Sequence, residues 1–334
     1  MPLWDKLRGL DLVVEDVTSE RRSVDVSSQF KRVTTTVVLT GRGQEGRGED
    51  VTYNAEDHDW FPQPEAAGET TLGDFCSSLD DLRLFSSGPG MTASTDYRRW
   101  AFESAALDLA LRQAGLTLGR AFDRPYRPVR FVVSTRDDAF AWLEHYPELE
   151  LKLDPANDWD RPFMERLAAT QKVRVLDLKA YYRGTPVDVE PDPVLYRTIA
   201  ELFPDAVLED ASLEGECGAV LAGHERRMSF DAPIHSVADL RGLPIEPGWQ
   251  NIKPSRFGTL ERLLECVEHC DESGIGLYGG GQFELGVGRR HIQVLASLLY
   301  PDGPNDVAPG DYNVGGPRPG LRTSPLDPPE RAGF

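Results

Sequence analysis

The chain has few of the features that would tie it to a membrane, a secretory route or a polyanion. Its 334 residues contain no apolar run approaching the length of a membrane span. The opening residues 1–6 lack the apolar core of a signal peptide. Lysine and arginine number 36 against 55 acidic residues, a formal net charge of −19, which argues against nucleic acid or an anionic membrane as a partner. We therefore predict a cytoplasmic protein that binds neither nucleic acid nor membrane.

Cysteine is scarce as well. Four cysteines in a chain of this length favour reduced thiols over a disulfide framework. Cys266 and Cys270 lie four residues apart in a predicted helix with His269 between them, a spacing that would also suit a metal clip. Because free cysteine is usually buried, we interpret the pair as part of the core.

The apolar and charged fractions, 40% and 27%, are those of an ordinary globular protein, and the length predicts two domains. Residues 1 to about 95 are rich in predicted strands. The run 33–39 is β-branched, residues 41–50 form a glycine-rich turn, and residues 51–53 suggest a return strand. The glycine run precedes a strand and not a helix, so we predict a hairpin there and not a phosphate loop.

Beyond residue 95 the pattern changes to alternation of helices and strands. Residues 98–116 predict a long amphipathic helix. After it we count eight strands and seven helices, from a first strand at 130–134 and a second at 149–153 to a faint eighth at 305–308. Such alternation is typical of a parallel sheet or barrel, and the count points to an α/β barrel whose last helix is missing or replaced.

One lysine and three acidic residues stand at the ends of predicted strands. Lys253 ends an apolar run and precedes a turn and an amphipathic helix, while Asp177, Glu209 and Asp231 end three earlier runs. The steps between these four residues are 32, 22 and 22 residues, and each step fits one strand, one helix and two short loops. Barrel enzymes carry their chemistry at the carboxyl ends of the strands.

Three carboxylates that converge on one point repel one another unless a cation lies among them. Ligation by oxygen alone suits magnesium. Acidic residues at strand ends also cap the helices that follow them. Three acidic residues at successive strand ends, followed by a lysine, favour a cation-binding site over helix capping.

In these residues the chain resembles the enolase superfamily, in its mandelate racemase and muconate lactonizing (muconate cycloisomerase) branch. Residues 100–109 resemble its linking helix, residues 251–258 its sixth-strand lysine motif, and residues 279–286 its seventh-strand turn. The resemblance implies an α/β fold, a modified TIM barrel of eight strands and seven helices with an N-terminal α+β capping domain. The implied units are the cap at 1–95, the (β/α)7β barrel at 96–309, and a proline- and glycine-rich tail at 310–334 that packs on the cap.

The resemblance also implies a site. Asp177, Glu209 and Asp231 would be the ligands of Mg²⁺, Lys253 an acid or base, and Lys152 on the second strand the facing base. Lys179 lies two residues beyond Asp177, hence on the same face of a strand, where it would supply positive charge or hold a substrate anion.

The sequence departs from the family pattern at three points. Glu150 stands where the second strand usually has its first lysine, and a carboxylate beside Lys152 would keep Lys152 protonated, which favours an acid role. An alternative alignment puts Asp154 at the base position. Lys179 replaces the usual third-strand asparagine, and no histidine ends the seventh strand, unlike the mandelate racemase type.

The function implied is magnesium-dependent abstraction of the α-proton of a carboxylate through an enediolate, as in a racemase or epimerase, a cycloisomerase, or a dehydratase. Two alternatives remain: a phosphate-binding barrel enzyme with residues 279–281 as its anion cradle, and a non-catalytic enolase-like protein that binds a ligand. We expect a small-molecule carboxylate as substrate and a homo-oligomer as the assembly. The substrate determinants are expected in cap loops around residues 17–30 and 42–60.

Overall fold

The computed structural model describes residues 1–26, 31–136, 138–185, 187–328 and 332–334. The N-terminal unit contains a three-stranded antiparallel sheet in the order β2-β3-β4 and an antiparallel pair, β1 with β5. The elements of this unit are β1 (Asp11–Val14), β2 (Asp16–Asp25), β3 (Lys31–Gly41), β4 (Gln44–Asp50), β5 (Gly68–Thr71) and α1 (Leu72–Ser78). A mixed α+β unit therefore precedes the barrel, as predicted.

The hairpin between β3 and β4 turns earlier than we predicted. Arg42 and Gly43 both have positive φ, 50° and 70°, the geometry of the tight turn that matches strand twist. The return strand is therefore β4 itself and not residues 51–53, which follow it. The sequence analysis mistook the glycines of β4 for turn residues.

Those strand glycines leave room for the helix that lies on the sheet. A Cβ atom at Gly46 would lie 2.3 Å from the carbonyl oxygen of Ala105, and one at Gly48 would lie 2.0 Å from that of Ala101. Helix α2 (Ser94–Gln113) is thus in backbone contact with β4. It is buried nearly all round, as expected of a helix between two layers, and it corresponds to the linking helix predicted at 98–116.

The barrel domain alternates strands and helices as the sequence indicated. Its strands are β6 (Val133–Thr135), β7 (Leu151–Leu153), β8 (Val173–Asp177), β9 (Val207–Glu209), β10 (Met228–Ser229), β11 (Trp249–Ile252) and β12 (Gly276–Gly279). The helices before and between them are α3 (Leu118–Phe122), α4 (Ala139–His145), α5 (Arg161–Ala169), α6 (Pro193–Leu202), α7 (Gly215–Leu221), α8 (Val237–Arg241), α9 (Pro254–Phe257), α10 (Leu260–Ser273) and α11 (Val287–Leu299).

Strands β6 to β10 form a five-stranded parallel sheet in sequential order, and β11 pairs in parallel with β12. The predicted eighth strand appears as an isolated bridge from Asn305 to Phe131. The backbone N–H of Val132 donates to Asn305 O at 2.8 Å, and that of Asp306 donates to Gly279 O at 2.8 Å. Residues 305–306 therefore connect the end of β12 with the start of the first strand.

The C-terminal tail packs on the linking helix and on the barrel. Phe334 is fully buried, lies edge-on to Trp100 of α2, and donates its N–H to Asp108. Leu326 exchanges two backbone hydrogen bonds with Val129. The tail therefore packs on α2 and the barrel, and its predicted contact with the cap at 1–95 stays a prediction.

Cys266 and Cys270 are buried and free, as are the other two cysteines. Within the described ranges, no helix combines the length and the apolarity needed to cross a bilayer.

A carboxylate from the cap holds the start of a barrel helix. Glu49 of β4 is buried and accepts the backbone N–H groups of Leu285, Gly286 and Gly288 at 2.7–3.0 Å. These groups lie at the N-terminus of α11, where N–H donors lack partners within the helix. Burial raises the pKa of Glu49, and these N–H bonds oppose that rise. Glu49 therefore ties the two domains together.

We expect Glu49→Gln to lower the free energy of unfolding by about 1–3 kcal/mol, because an amide nitrogen cannot accept these N–H groups. Urea denaturation measures the change. Glu45→Gln is the matched control on the same strand, since Glu45 forms a surface ion pair with Arg47, which is worth less than about 1 kcal/mol. Equal losses in the two variants would contradict the interdomain role of Glu49.

Candidate active site

Two acidic side chains end neighbouring parallel strands at one edge of the sheet. Asp177 is the last residue of β8 and pairs in register with Glu209, the last residue of β9. Both side chains are fully buried, so each requires compensating partners. The carboxyl ends of the strands therefore carry this pair, as their sequence spacing indicated.

A third carboxylate joins them that the sequence analysis missed. Asp177, Glu209 and Asp210 each offer an oxygen within 4.8 Å of the others, and together they form a group that could hold a metal ion. Asp210 has a left-handed backbone (φ 51°) and accepts the N–H of Asp231 at 2.8 Å. The available signal was the consecutive acidic pair 209–210 at a strand end, which we treated as one ligand position.

Asp231, the third ligand predicted from the sequence, lies two residues beyond β10 and is buried at the same mouth. Its carboxylate faces cations of the protein itself. The Lys253 ammonium donates to it at 2.7 Å, the Tyr182 hydroxyl at 2.9 Å, and Arg256 Nε lies 2.9 Å away. The structure thus brings Asp231 to the site, and its role as a metal ligand stays a prediction.

Lys152 of β7 lies among the carboxylates. Its Nζ atom is 2.6 Å from Glu209 Oε1, 3.4 Å from Asp177 Oδ2 and 3.9 Å from Asp306 Oδ2. Burial alone would lower the pKa of Lys152, but these charges outweigh burial and raise it well above its usual range. Lys152 therefore holds its proton firmly.

Lys253 follows β11 on another side of the mouth, and its side chain is nearly buried. Its aliphatic chain passes over Gly280, where a Cβ atom would lie 2.9 Å from Lys253 Cε. Burial lowers the pKa of Lys253, and so do the positive charges of Lys152 and Arg256. The carboxylate of Asp231 raises this pKa, and the net shift is upward. The two positive neighbours thus oppose the effect of Asp231 on Lys253.

Lys179 reaches Asp177 through a turn and not along a strand. Its backbone is left-handed (φ 56°), and its ammonium contacts Asp177 Oδ2. Asp154 Oδ1 lies 3.6 Å from the same ammonium. The sequence analysis placed Lys179 beside Asp177, and the structure shows that contact directly.

Glu150 does not lie beside Lys152, contrary to our expectation. Its carboxylate is bound by Arg130 at 2.6 and 2.7 Å and by Arg174 at 2.6 Å. Glu150 precedes β7, and where the pairing of β7 with β8 shifts register the extra residue is Arg174 of β8. Carboxylates from other strands keep Lys152 protonated, and Glu150 does not.

Asp154, the alternative base, is paired through its Oδ2 atom with Arg136 at 2.8 Å. Its other oxygen faces Lys179. It therefore lies at the edge of the site with both oxygens near cations, and its role as a base stays a prediction.

Further polar side chains hold the carboxylates in place. The Tyr278 hydroxyl donates to Glu209 Oε2 at 2.5 Å, and Asn251 Nδ2 donates to Oε1 at 3.1 Å. Tyr182 and Arg256 do the same for Asp231. The sequence analysis missed all four, because each comes from a different element and only the fold brings them together.

The acidic side chains of this group differ in how readily they ionise. Burial alone would raise the pKa of Asp177, but the ammonium groups of Lys179 and Lys152 outweigh it and lower the pKa to about 2. Burial raises the pKa of Glu209 to about 7, with Lys152 opposing and Asp177 adding to the rise. Burial and the neighbouring carboxylates raise the pKa of Asp210 well above its usual range. Negative charge is thus in excess around Glu209 and Asp210, and the all-oxygen donor set there fits a hard divalent cation.

The cap reaches the barrel mouth near this site. The Tyr53 hydroxyl donates to Gln282 Oε1 at 3.0 Å, which places one of the predicted specificity loops (residues 42–60) beside the seventh-strand turn. The other predicted loop, residues 17–30, is wrong in its first part, which belongs to β2 (Asp16–Asp25), and residues 27–30 lie outside the described residues.

Family comparison divides the chain in two. The family described as domain of unknown function DUF8230 matches with its N-terminal domain at residues 5–121 and with its C-terminal domain at residues 125–314. Helix α2 falls in the N-terminal part of that division, whereas the boundary that we predicted at residue 95 falls in the first turn of this helix.

Solved structures share the fold at low sequence identity. A member of the enolase superfamily from Listeria innocua aligns with 90% of this chain and 86% of its own, at a TM-score of 0.65 and 17% identity. A dipeptide epimerase from Methylococcus capsulatus, complexed with Mg ion, aligns with 88% of this chain and 89% of its own, at a TM-score of 0.61 and 17% identity. A muconate cycloisomerase from Pseudomonas fluorescens aligns with 89% of this chain and 87% of its own, at a TM-score of 0.59 and 16% identity.

Among curated proteins, an o-succinylbenzoate synthase from Bacillus subtilis (strain 168) is 26% identical over 226 residues. The match spans 63% of this chain and 57% of the relative's own length.

Proposed function

Because the chain belongs to the DUF8230 family and has the fold of the enolase superfamily, we propose that it abstracts the α-proton of a carboxylate substrate with the help of Mg²⁺, through an enediolate. The product would form as in a racemase or epimerase, a cycloisomerase, or a dehydratase. The observation that carries the proposal is the buried carboxylate group at the ends of β8 and β9, flanked by Lys152 and Lys253.

Asp177 and Glu209 would hold the magnesium ion, with the third protein ligand from Asp231, as the family resemblance implies, or from Asp210, as the geometry of the carboxylate group favours. When bound, the ion would supply positive charge that offsets the negative charge developing on the substrate carboxylate.

The two lysines would divide the proton transfer. Lys152 belongs to the second barrel strand and Lys253 follows the sixth, which lie on opposite sides of an eight-stranded ring. A substrate between them presents one face to each ammonium. Lys253 is proposed as the base, since the positive charges of Lys152 and Arg256 oppose its protonation, and Lys152 as the acid, since carboxylates surround it. Lys179 is proposed to contact a substrate anion at the mouth.

The charges of the site suit a divalent cation together with a substrate anion. Lys152, Lys179, Lys253 and Arg256 each contact the carboxylate of Asp177, Glu209 or Asp231, while Asp210 accepts backbone N–H groups. A divalent ion would add positive charge among these carboxylates, where the negative charge of an enediolate would develop.

The phosphate-binding alternative loses support from the structure. The backbone N–H of Gly279 donates to Asn305, and that of Gly280 to Ile252. The N-terminus of α11, which would otherwise attract an anion, is taken by Glu49. The glycines of this turn make room for Lys253 and its neighbours.

Deuterium uptake from heavy water tests the proposal against a non-catalytic binder. A carboxylate library should include muconates, dipeptides and the substrate of o-succinylbenzoate synthase, which the names of the similar proteins suggest. With Mg²⁺ present we expect uptake at the α-carbon of at least one compound, detected by NMR, and none with chelator or with the Lys152→Ala, Lys253→Ala double variant. Carboxylates that bind without any exchange would favour the non-catalytic alternative.

A further inference from the structure

The chain has few lysines, and half of them lie at one place. The sequence has six lysines, and three of them, Lys152, Lys179 and Lys253, contact the buried carboxylates. Lys152 and Lys253 have the proton-transfer roles proposed above. Lys179 is left without a role in proton transfer, although its contact with Asp177 is close.

The position of Lys179 is that of a counter-ion. Its ammonium contacts Asp177 Oδ2, and its own backbone N–H donates to Asp177 Oδ1 at 3.3 Å. Both oxygens of this carboxylate are therefore engaged by one residue. A divalent cation that takes Asp177 as a ligand has to compete with a positive charge at the coordinating oxygen.

The structure also provides a second place for the same ammonium. Asp154 Oδ1 lies 3.6 Å from Lys179 Nζ and faces it, while Asp154 Oδ2 is held by Arg136. The ring of Tyr182 lies below the ammonium, 4.9 Å from its centroid. The ammonium can thus leave Asp177 for Asp154 by a small side-chain movement and remain paired throughout, without losing its proton.

Resting on the proposed metal centre, we propose that Lys179 is an internal counter-ion that occupies Asp177 while no divalent cation is bound and moves to Asp154 when one enters. The chain then exchanges one paired arrangement for another on metal binding, and neither Asp177 nor Asp154 is without a cation in either state. The competition of Lys179 at Asp177 consequently weakens metal binding.

Calorimetric titration of Mg²⁺ into the full-length protein, without substrate, tests this competition. Lys179→Met removes the charge and keeps most of the aliphatic chain, and we expect it to tighten Mg²⁺ binding at least tenfold, about 1.4 kcal/mol. Lys179→Arg keeps the charge and should bind Mg²⁺ no more tightly than the wild type. Lys172→Met is the matched control, because Lys172 pairs with Glu148 at the surface, and its affinity should not change.

The second position is tested by a double-mutant cycle. Asp154→Asn should weaken Mg²⁺ binding at least fivefold in the wild type, because the displaced ammonium loses its partner. In the Lys179→Met background the same substitution should change the affinity by less than twofold. Circular dichroism melting confirms that each variant is folded before titration.

The outcomes separate this inference from the proposed function. If the wild type binds Mg²⁺ and Lys179→Met binds it no more tightly, the counter-ion role is wrong and the metal centre stands. Equal effects of Asp154→Asn in both backgrounds overturn the movement to Asp154. If no variant binds Mg²⁺, both the counter-ion and the metal centre fail. The deuterium experiment does not enter any of these comparisons.

Discussion

Glu209→Gln is expected to abolish Mg²⁺ binding and to lower α-proton exchange by about 10³-fold or more, since it removes a proposed ligand from the centre of the site. Glu209 is buried and accepts hydrogen bonds from Lys152, Asn251 and Tyr278, and an amide oxygen retains part of that network. Calorimetry measures the metal affinity, and NMR measures the exchange.

The same variant is expected to be at least as stable as the metal-free wild type at pH 8. The pKa of Glu209 is raised from 4.5 to about 7 in the folded protein, chiefly by burial. Between these values the folded chain binds more protons than the unfolded chain, so the wild type loses about 1.4 kcal/mol of stability per unit as the pH rises through this window. A glutamine does not titrate. Urea unfolding at pH 5 and pH 8 should show the loss in the wild type and not in Glu209→Gln.

Glu150→Gln is the matched control. Glu150 is also a partly buried, ion-paired carboxylate of the barrel, but its partners are Arg130 and Arg174. We expect unchanged Mg²⁺ affinity in this variant. If Glu209→Gln retains wild-type affinity, or if Glu150→Gln loses it, the location of the metal centre is wrong.

The second large effect separates the two flanking lysines. Lys253→Ala should abolish exchange of the stereoisomer whose α-proton faces Lys253, because the proposed base is missing. Lys152→Ala should spare that exchange and block product formation, because the firmly protonated acid is missing. Each loss is expected to be about 10²–10⁴-fold, measured by NMR on both stereoisomers of a substrate found in the library.

The basis of this prediction changed with the structure. From the sequence, Lys253 had no acidic neighbour in its own strand, whereas the fold pairs it with Asp231 at 2.7 Å. What distinguishes the lysines is the number of carboxylates around Lys152 and the positive charge around Lys253. Equal loss of both stereoisomers in both variants would reject the two-faced arrangement, and Asp154 or Lys179 would then become the residue to test.

Periodicity determined much of the barrel before any coordinates. The alternation of short apolar runs with amphipathic helices gave the order of strands β6 to β12, because each element must bury one face whatever its neighbours are. The same logic placed Asp177, Glu209 and Lys253 at strand ends. The linking helix α2 was also evident from the apolar residues at helical spacing in 98–116, although the fold buries its polar residues Arg98, Glu103 and Asp108 as well.

Contacts between elements could not be obtained in that way. The glycines of β4 suggested a turn. They are needed because the backbone of α2 would lie only 2.0–2.3 Å from a Cβ atom at Gly46 or Gly48. Glu150 seemed to share a face with Lys152, but its carboxylate binds Arg130 and Arg174 instead.

The sequence by itself thus determined the fold class, the linking helix and the strand ends that carry Asp177, Glu209 and Lys253, since these follow from local patterns of burial. Only the tertiary structure decided which charges are neighbours: Asp210 with Asp177 and Glu209, Lys253 with Asp231, and Lys179 between Asp177 and Asp154. The physical reason is that an ion pair depends on distances of a few ångströms between residues far apart in the chain, and the pattern within one strand carries no record of the strand beside it.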